Sequence, residues 1–249
     1  MQTFARGWGT GMSTLLLRLA APLQSWGVAS KFDTRDTARE PTKSGVIGLL
    51  AAALGRSRTE NLDDLNELYF GVRLDQPGLL LRDYHTARQK KNAASFVTTR
   101  YYLADAVFLV GLEGEENFLQ KLAVALQNPV FPLYLGRRSC PPVGRLVLGL
   151  RERALRQAIE EEPWQASEWY QNKLKKKQLD QVKLTIVCDA QPNEQGAFLR
   201  RDLPISFSQQ HRRYGFRMVT DTADVLSIPM LQRTVELPTD HDAMAGWED

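Results

Sequence analysis

Two helix-period segments in this chain each lie between β-prone apolar runs, and that order leaves few folds open. Residues 14–20 read as a buried strand ended by Pro22. A helix over 45–54 follows, with Ser44 as its cap, Gly55 as its stop and a broad apolar face from Val46 to Leu54. Residues 70–74 and 79–84 read as strands around the turn Gln76-Pro77-Gly78. Residues 97–103 and 106–112 add strands, 115–126 is an amphipathic helix stopped by Pro129 and Pro132, and 146–150 closes the set. The order predicts an α+β fold with a ferredoxin-like (RRM-like) β-α-β-β-α-β core.

Four segments depart from that pattern. Residues 1–12 are glycine-rich and aperiodic, so they read as a flexible leader, and the core domain as 13–150. Residues 21–43 form a loop long enough to suggest a function. Residues 82–102 look like a protruding hairpin with a polar, basic tip at 86–95 that ordering entropy leaves mobile in the isolated chain. Residues 151–235 read as a smaller β-containing C-terminal subdomain: helices over 153–161 and 164–177, then strands over 182–188, 200–207, 217–220 and 225–228.

Charge matters once it is divided. The net charge is +3, yet 236–249 carries five of the 29 acids and none of the 32 lysines and arginines. That leaves a basic body and an acidic tail, an asymmetry that suggests a polyanionic partner. No apolar run is long enough for a membrane helix, and Cys140 and Cys188 alone fit a reduced, cytoplasmic chain.

Catalytic signatures are missing. His85, His211 and His241 form no metal-binding pair, and the two cysteines have no zinc spacing, so neither metal nor cofactor is expected. There is no GxSxG, no P-loop and no GxGxxG. An alternative stays open: His85 with Tyr84 and Lys90 or Lys91 could serve a metal-independent endoribonuclease acting on repeat RNA.

Basic clusters carry more information. Arg82, Arg88, Lys90, Lys91 and Arg100 stand among Tyr84, Phe96, Tyr101 and Tyr102. Five arginines between 200 and 217 are accompanied by Phe207, Tyr214 and Phe216. Cations neutralise phosphates and aromatic faces stack unpaired bases, which suits a single strand. Solvated cations with core-facing aromatics would give the same composition. Gly136-Arg137-Arg138-Ser139 combines a permissive backbone with two cations. Lys43, Ser44 and Gly45 sit at a helix start, a further anion site unless they merely cap it.

Several of these stretches together resemble a known family. They are Leu17-Arg-Leu-Ala-Ala-Pro-Leu-Gln-Ser-Trp-Gly27, Thr34-Arg35, Pro41-Thr-Lys-Ser-Gly45, Gly48-Leu-Leu50, Leu81-Arg-Asp-Tyr-His-Thr86 and Tyr134-Leu-Gly-Arg-Arg-Ser-Cys-Pro141. The set resembles the CasD family of type I-E CRISPR Cascade, within the RAMP superfamily. The resemblance covers about residues 12–141 and is loose beyond them. It implies a non-catalytic RNA-binding subunit with the ferredoxin-like core, holding the 5′ handle of the crRNA. It implies that the 82–102 hairpin is a thumb over the guide, and that the partners are the backbone subunit and the large PAM-reading subunit, with target DNA met only through the complex. Trp26 and Arg35 join the candidate RNA contacts on this ground.

Overall fold

The computed structural model describes residues 12–27, 34–88, 95–177 and 181–227. In chain order these form β1 (Met12–Ala20), β2 (Leu23–Gln24), β3 (Thr34–Arg35), α1 (Lys43–Ala53), α2 (Asp63–Asn66), β4 (Tyr69–Gln76), β5 (Leu79–Arg88), β6 (Ser95–Ala104) and β7 (Val107–Glu115). Then come α3 (Glu116–Gln127), β8 (Val147–Arg151), α4 (Leu155–Glu161), α5 (Glu168–Lys176), β9 (Gln181–Asp189), β10 (Phe198–Ser206) and β11 (Arg213–Ser227). The chain is thus a mixed α+β protein, rich in strand. None of its described helices is long and apolar enough to cross a membrane.

β1 and β7 are buried along almost their whole length because both faces of the sheet are covered. On one face α1 and α3 pack over Leu15, Leu17, Leu19, Phe70, Phe108 and Val110. On the other, α4 packs Leu155 and Ile159 against Leu16, Leu109, Ile186 and Cys188. The strand order is β10-β11-β9-β4-β7-β1-β8, with each of these neighbours antiparallel. β9 returns from the C-terminal third to pair with β4 through Gly71, Val72 and Arg73.

A second sheet carries the hairpin. β5 pairs with β6 over ten consecutive residues, Leu79↔Ala104 to Arg88↔Ser95. The root of β6 is braced by β2 and by β3, which runs parallel to it. The tip residues 89–94 lie outside the described residues, as do most of the leader and all of the acidic tail.

Several local expectations change. α1 begins at Lys43 and its cap is Thr42, whose hydroxyl accepts from the Gly45 amide, so Ser44 lies inside the helix. The 21–43 stretch is not plain loop, for it holds β2, β3 and an isolated bridge between Trp26 and Ala38. The two short strands expected over 217–220 and 225–228 are parts of one, because β9 pairs with β11 continuously from Val219↔Asp189 to Ser227↔Gln181.

Two arginine-centred networks tie the halves together. Arg73 is fully buried and grips Asp75 with two bonds of 2.6 and 3.0 Å. It also donates to the carbonyls of Ile159, Glu162 and Pro163. Arg217 bonds Asp202 at 2.6 and 2.9 Å and Asp189 at 2.6 Å. Lys43 completes that second cluster, and burial lowers its ammonium pKa against the pull of Asp189.

Both thiols should be inert in the folded protein. Cys188 is packed against Gly71, and burial pushes its pKa up to about 12. Cys140 is buried and shifted in the same direction, again by burial. At pH 8 the Cys188 thiolate is about one part in ten thousand. A disulfide reagent should therefore label neither cysteine in buffer and both in guanidinium; rapid native labelling would contradict the packing.

Candidate nucleic-acid cleft

A cleft of about 1150 Å³ opens on the α1 side of the sheet. Its walls are the 25–27 turn, Arg35 and Asp36, the outer face of α1, the 131–141 loop, and Phe207, Arg212 and Tyr214. α1 turns Val46, Ile47 and Leu50 into the core and lends Gly48 and Ala52 to the cleft, so backbone rather than bulk lines that wall. Six arginines line the cleft (Arg35, Arg56, Arg58, Arg137, Arg138 and Arg212) against a single acid, Asp36. Trp26, Phe131, Tyr134, Phe207 and Tyr214 supply aromatic surface.

The 135–140 loop is held shut by its own backbone. Leu135 donates to the Cys140 carbonyl at 2.7 Å, Cys140 donates to the Arg137 carbonyl at 2.9 Å, and Ser25 donates to the Leu135 carbonyl at 3.2 Å. Gly136 sits at φ +84°, and a Cβ there would fall 1.6 Å from the Ser25 carbonyl oxygen. Only glycine fits that approach. The amides of Arg137, Arg138 and Ser139 have no partner among the described residues.

Arg137 links this loop to the hairpin root. Its guanidinium stacks 4.5 Å over the Tyr102 ring, and its Nη2 donates to the Arg35 carbonyl at 2.9 Å. Its Nη1 is buried without a partner, as is Nε of Arg100 in β6. Arg100 lies opposite both Arg35 and Asp83 in the ladder. Ladder pairing joins the backbone of Tyr101 to that of Arg82, and the Ser25 hydroxyl donates to the Tyr101 carbonyl at 3.2 Å.

The predicted residues therefore separate into groups. Arg35, Ser44, Gly45, Gly136, Arg137, Arg138 and Trp26 all line the cleft, with Ser139 exposed on the same loop. Arg82, Arg100 and Tyr101 stand at the adjoining hairpin. His85 and Arg88 are exposed on β5; Arg88 is five residue pairs beyond Asp83↔Arg100, about 17 Å along the ladder. Lys90 and Lys91 lie outside the described residues.

Two residues are corrected. The Lys43 ammonium does not reach the cleft: it is buried, donating to the Leu68 carbonyl at 2.7 Å and to Asp189 at 3.0 Å. Its amide donates to Asp202 at 2.9 Å, so a protein carboxylate occupies the helix start that the sequence offered to phosphate. The Trp26 ring is 1% exposed, donates from Nε1 to Gln24 and packs against Gly45, so it is a wall, not a stacking platform. The 200–217 cluster is likewise divided. Arg217 is buried and Arg200 pairs with Glu40 at 2.6 Å, while Arg212 reaches the cleft.

Sequence reading missed Arg56 and Arg58, which follow α1 with no aromatic neighbour to mark them. Arg56 is engaged by Asp64 and by the Asn61 carbonyl. Arg58 is exposed.

A family model described as CRISPR-associated protein Cas5 matches residues 14–220. A Cascade subunit, CasD of Escherichia coli K12, is 41% identical over 158 residues, covering 55% of this chain and 70% of that protein. A chain from a CRISPR RNA-guided surveillance complex superposes with a TM-score of 0.69 at 34% identity, covering 86% of this chain and 91% of its own. A crystallised Cas protein gives 0.64 at 42% identity, covering 86% and 95%.

Proposed function

Because this chain belongs to the CRISPR-associated Cas5 family, we propose that it is a CasD-type, non-catalytic subunit of a cytoplasmic Cascade complex, holding the 5′ handle of the crRNA. The observation that carries the reading is the cleft: six lining arginines, of which Arg56 is paired with Asp64, against one lining acid, with aromatic faces between them. Cations neutralise phosphates, and aromatics accept the unstacked bases of a single strand. The guide's path would run from Arg138 and Arg137 past Arg35 to Arg82, Arg100 and Tyr101, with Ser44, Gly45, Gly136 and Ser139 shaping the wall.

On this reading the strands β8-β1-β7-β4 with α1 and α3 are the ferredoxin-like core. The β5–β6 hairpin is the thumb, reaching over the guide with His85, Arg88, Lys90 and Lys91 to meet the backbone subunit. Its exposed Leu79, Leu80, Leu81, Tyr84 and Phe96 support a protein contact, since so much apolar surface seldom stays wet. The PAM-reading subunit is the second protein partner, and target DNA is met through the complex.

Co-purification with the other Cascade subunits, followed by sequencing of the bound RNA, tests the assignment. RNA other than repeat-derived 5′ ends would overturn it. Replacing Arg137 and Arg138 together by alanine should weaken handle binding. It should also flatten the log–log salt dependence by roughly 0.7 for each phosphate left without its arginine. A folded double variant with unchanged affinity and slope would remove the loop from the site.

A further inference from the structure

α5 lies away from the cleft and contributes nothing to it. It is entered over the α4 side of the sheet, where Trp164 Nε1 donates to the Asp75 carbonyl at 2.9 Å and the Gln165 amide to the Asp75 carboxylate at 2.6 Å. The Ser167 hydroxyl donates to Gln76 at 2.7 Å. Since Asp75 is itself clamped by buried Arg73, the start of α5 is fixed to the core. Leu174 anchors its inner side.

The outer side is unusual. Trp169 is 52% exposed, although a tryptophan offers more apolar area than any other side chain. Lys173 and Lys176 follow at i+4 and i+7, on the same face and about 6 and 10.5 Å along the axis. Lys173 lies 5.9 Å from the Trp169 ring, and Tyr170 meets that ring edge-on at 5.7 Å, so the indole is held in place. Among the described residues neither lysine has a carboxylate partner. Cations near a helix C-terminus favour the dipole, but that role explains no exposed tryptophan beside them.

We propose that this face of α5 is a second contact for single-stranded nucleic acid, independent of the cleft, with Trp169 stacking on an unpaired base and Lys173 and Lys176 neutralising its neighbouring phosphates. An aromatic platform beside point charges is what sequence-tolerant strand binders use. Strand leaving the cleft would then find a second hold on another face of the subunit.

The test uses the full chain carrying Arg137→Ala and Arg138→Ala, and a fluorescein-labelled oligothymidylate of about 8 nucleotides, within the length one such site spans. Adding Trp169→Ala should weaken the remaining binding roughly fivefold or more, and Trp169→Phe should retain it. Adding Lys173→Gln and Lys176→Gln should flatten the salt slope by about 1.4. Unchanged binding in Trp169→Ala overturns the proposal. So does a loss on lysine replacement alone, which would mean diffuse charge attraction. Unchanged oligonucleotide binding with a protein subunit missing from the reassembled complex would make the face a protein interface and also overturn it. The cleft reading is judged separately, by comparing the starting double variant with the unmodified chain.

Discussion

Arg73→Ala is expected to cost about 3–5 kcal/mol of folding stability, which for a chain of this size lowers Tm by about 6–20 °C. The guanidinium has no exposed surface and makes five hydrogen bonds, two to Asp75 and three to carbonyls at the end of α4. Alanine removes them all and leaves the buried Asp75 carboxylate without its bonded guanidinium, though Arg18 still attracts it and the Gln165 amide still donates to it. That desolvated charge, more than the missing attraction, sets the size of the effect. Chemical denaturation measures it. Pairing Arg73→Met with Asp75→Leu should restore part of the stability but not all, because Gln165 then has no acceptor. A cost below about 1 kcal/mol for Arg73→Ala would mean water reaches the pair.

Gly136→Ala should act on binding more than on the core. The added Cβ would lie 1.6 Å from the Ser25 carbonyl oxygen and 2.7 Å from its carbon, both rigid backbone atoms. At φ +84° an alanine also bears a left-handed strain of about 1–2 kcal/mol. The loop must lift, which breaks the Ser25–Leu135 bond and draws Arg137 from Tyr102 and Arg35. Guide-handle affinity should fall at least tenfold, or about 1.4 kcal/mol. Gly196→Ala is the control. It shares the positive φ (+80°) but has nothing within 4 Å, so it should show strain without loss of binding. Equal affinities for the two variants would sever the loop from the site.

The helix and strand order of residues 14–150 was readable because most of its elements bury one face or both, and burial imposes a period on the sequence. Gly136 was readable for a related reason: close backbone approach, here to the Ser25 carbonyl, demands glycine. Lys43 was not. A lysine at a helix start looks the same whether it meets a ligand or a carboxylate 146 residues later, and only the fold brings Asp189 beneath it. Arg217 carried the same ambiguity, since a buried guanidinium bridging two aspartates and an exposed one are identical in composition. Nor does any local pattern announce that β9 pairs with β4. Strand edges recognise each other through backbone groups that every residue possesses.

That pairing sets a schedule during synthesis. β4 is complete at Gln76, but the strand that covers its free edge ends at Asp189. At translation rates of about 5–20 residues per second, the edge waits roughly 6–23 s for its neighbour. Throughout that interval the nascent chain presents a row of unpaired amides and carbonyls beside Phe70 and Val72, a template for any other extended strand. Arg73 waits too, since its acceptors at Ile159, Glu162 and Pro163 emerge late. Asp75 meets the guanidinium's charge at once, but three of its five hydrogen bonds form only with the second half, so the first half stays short of its final packing until β9 and α4 are both in hand.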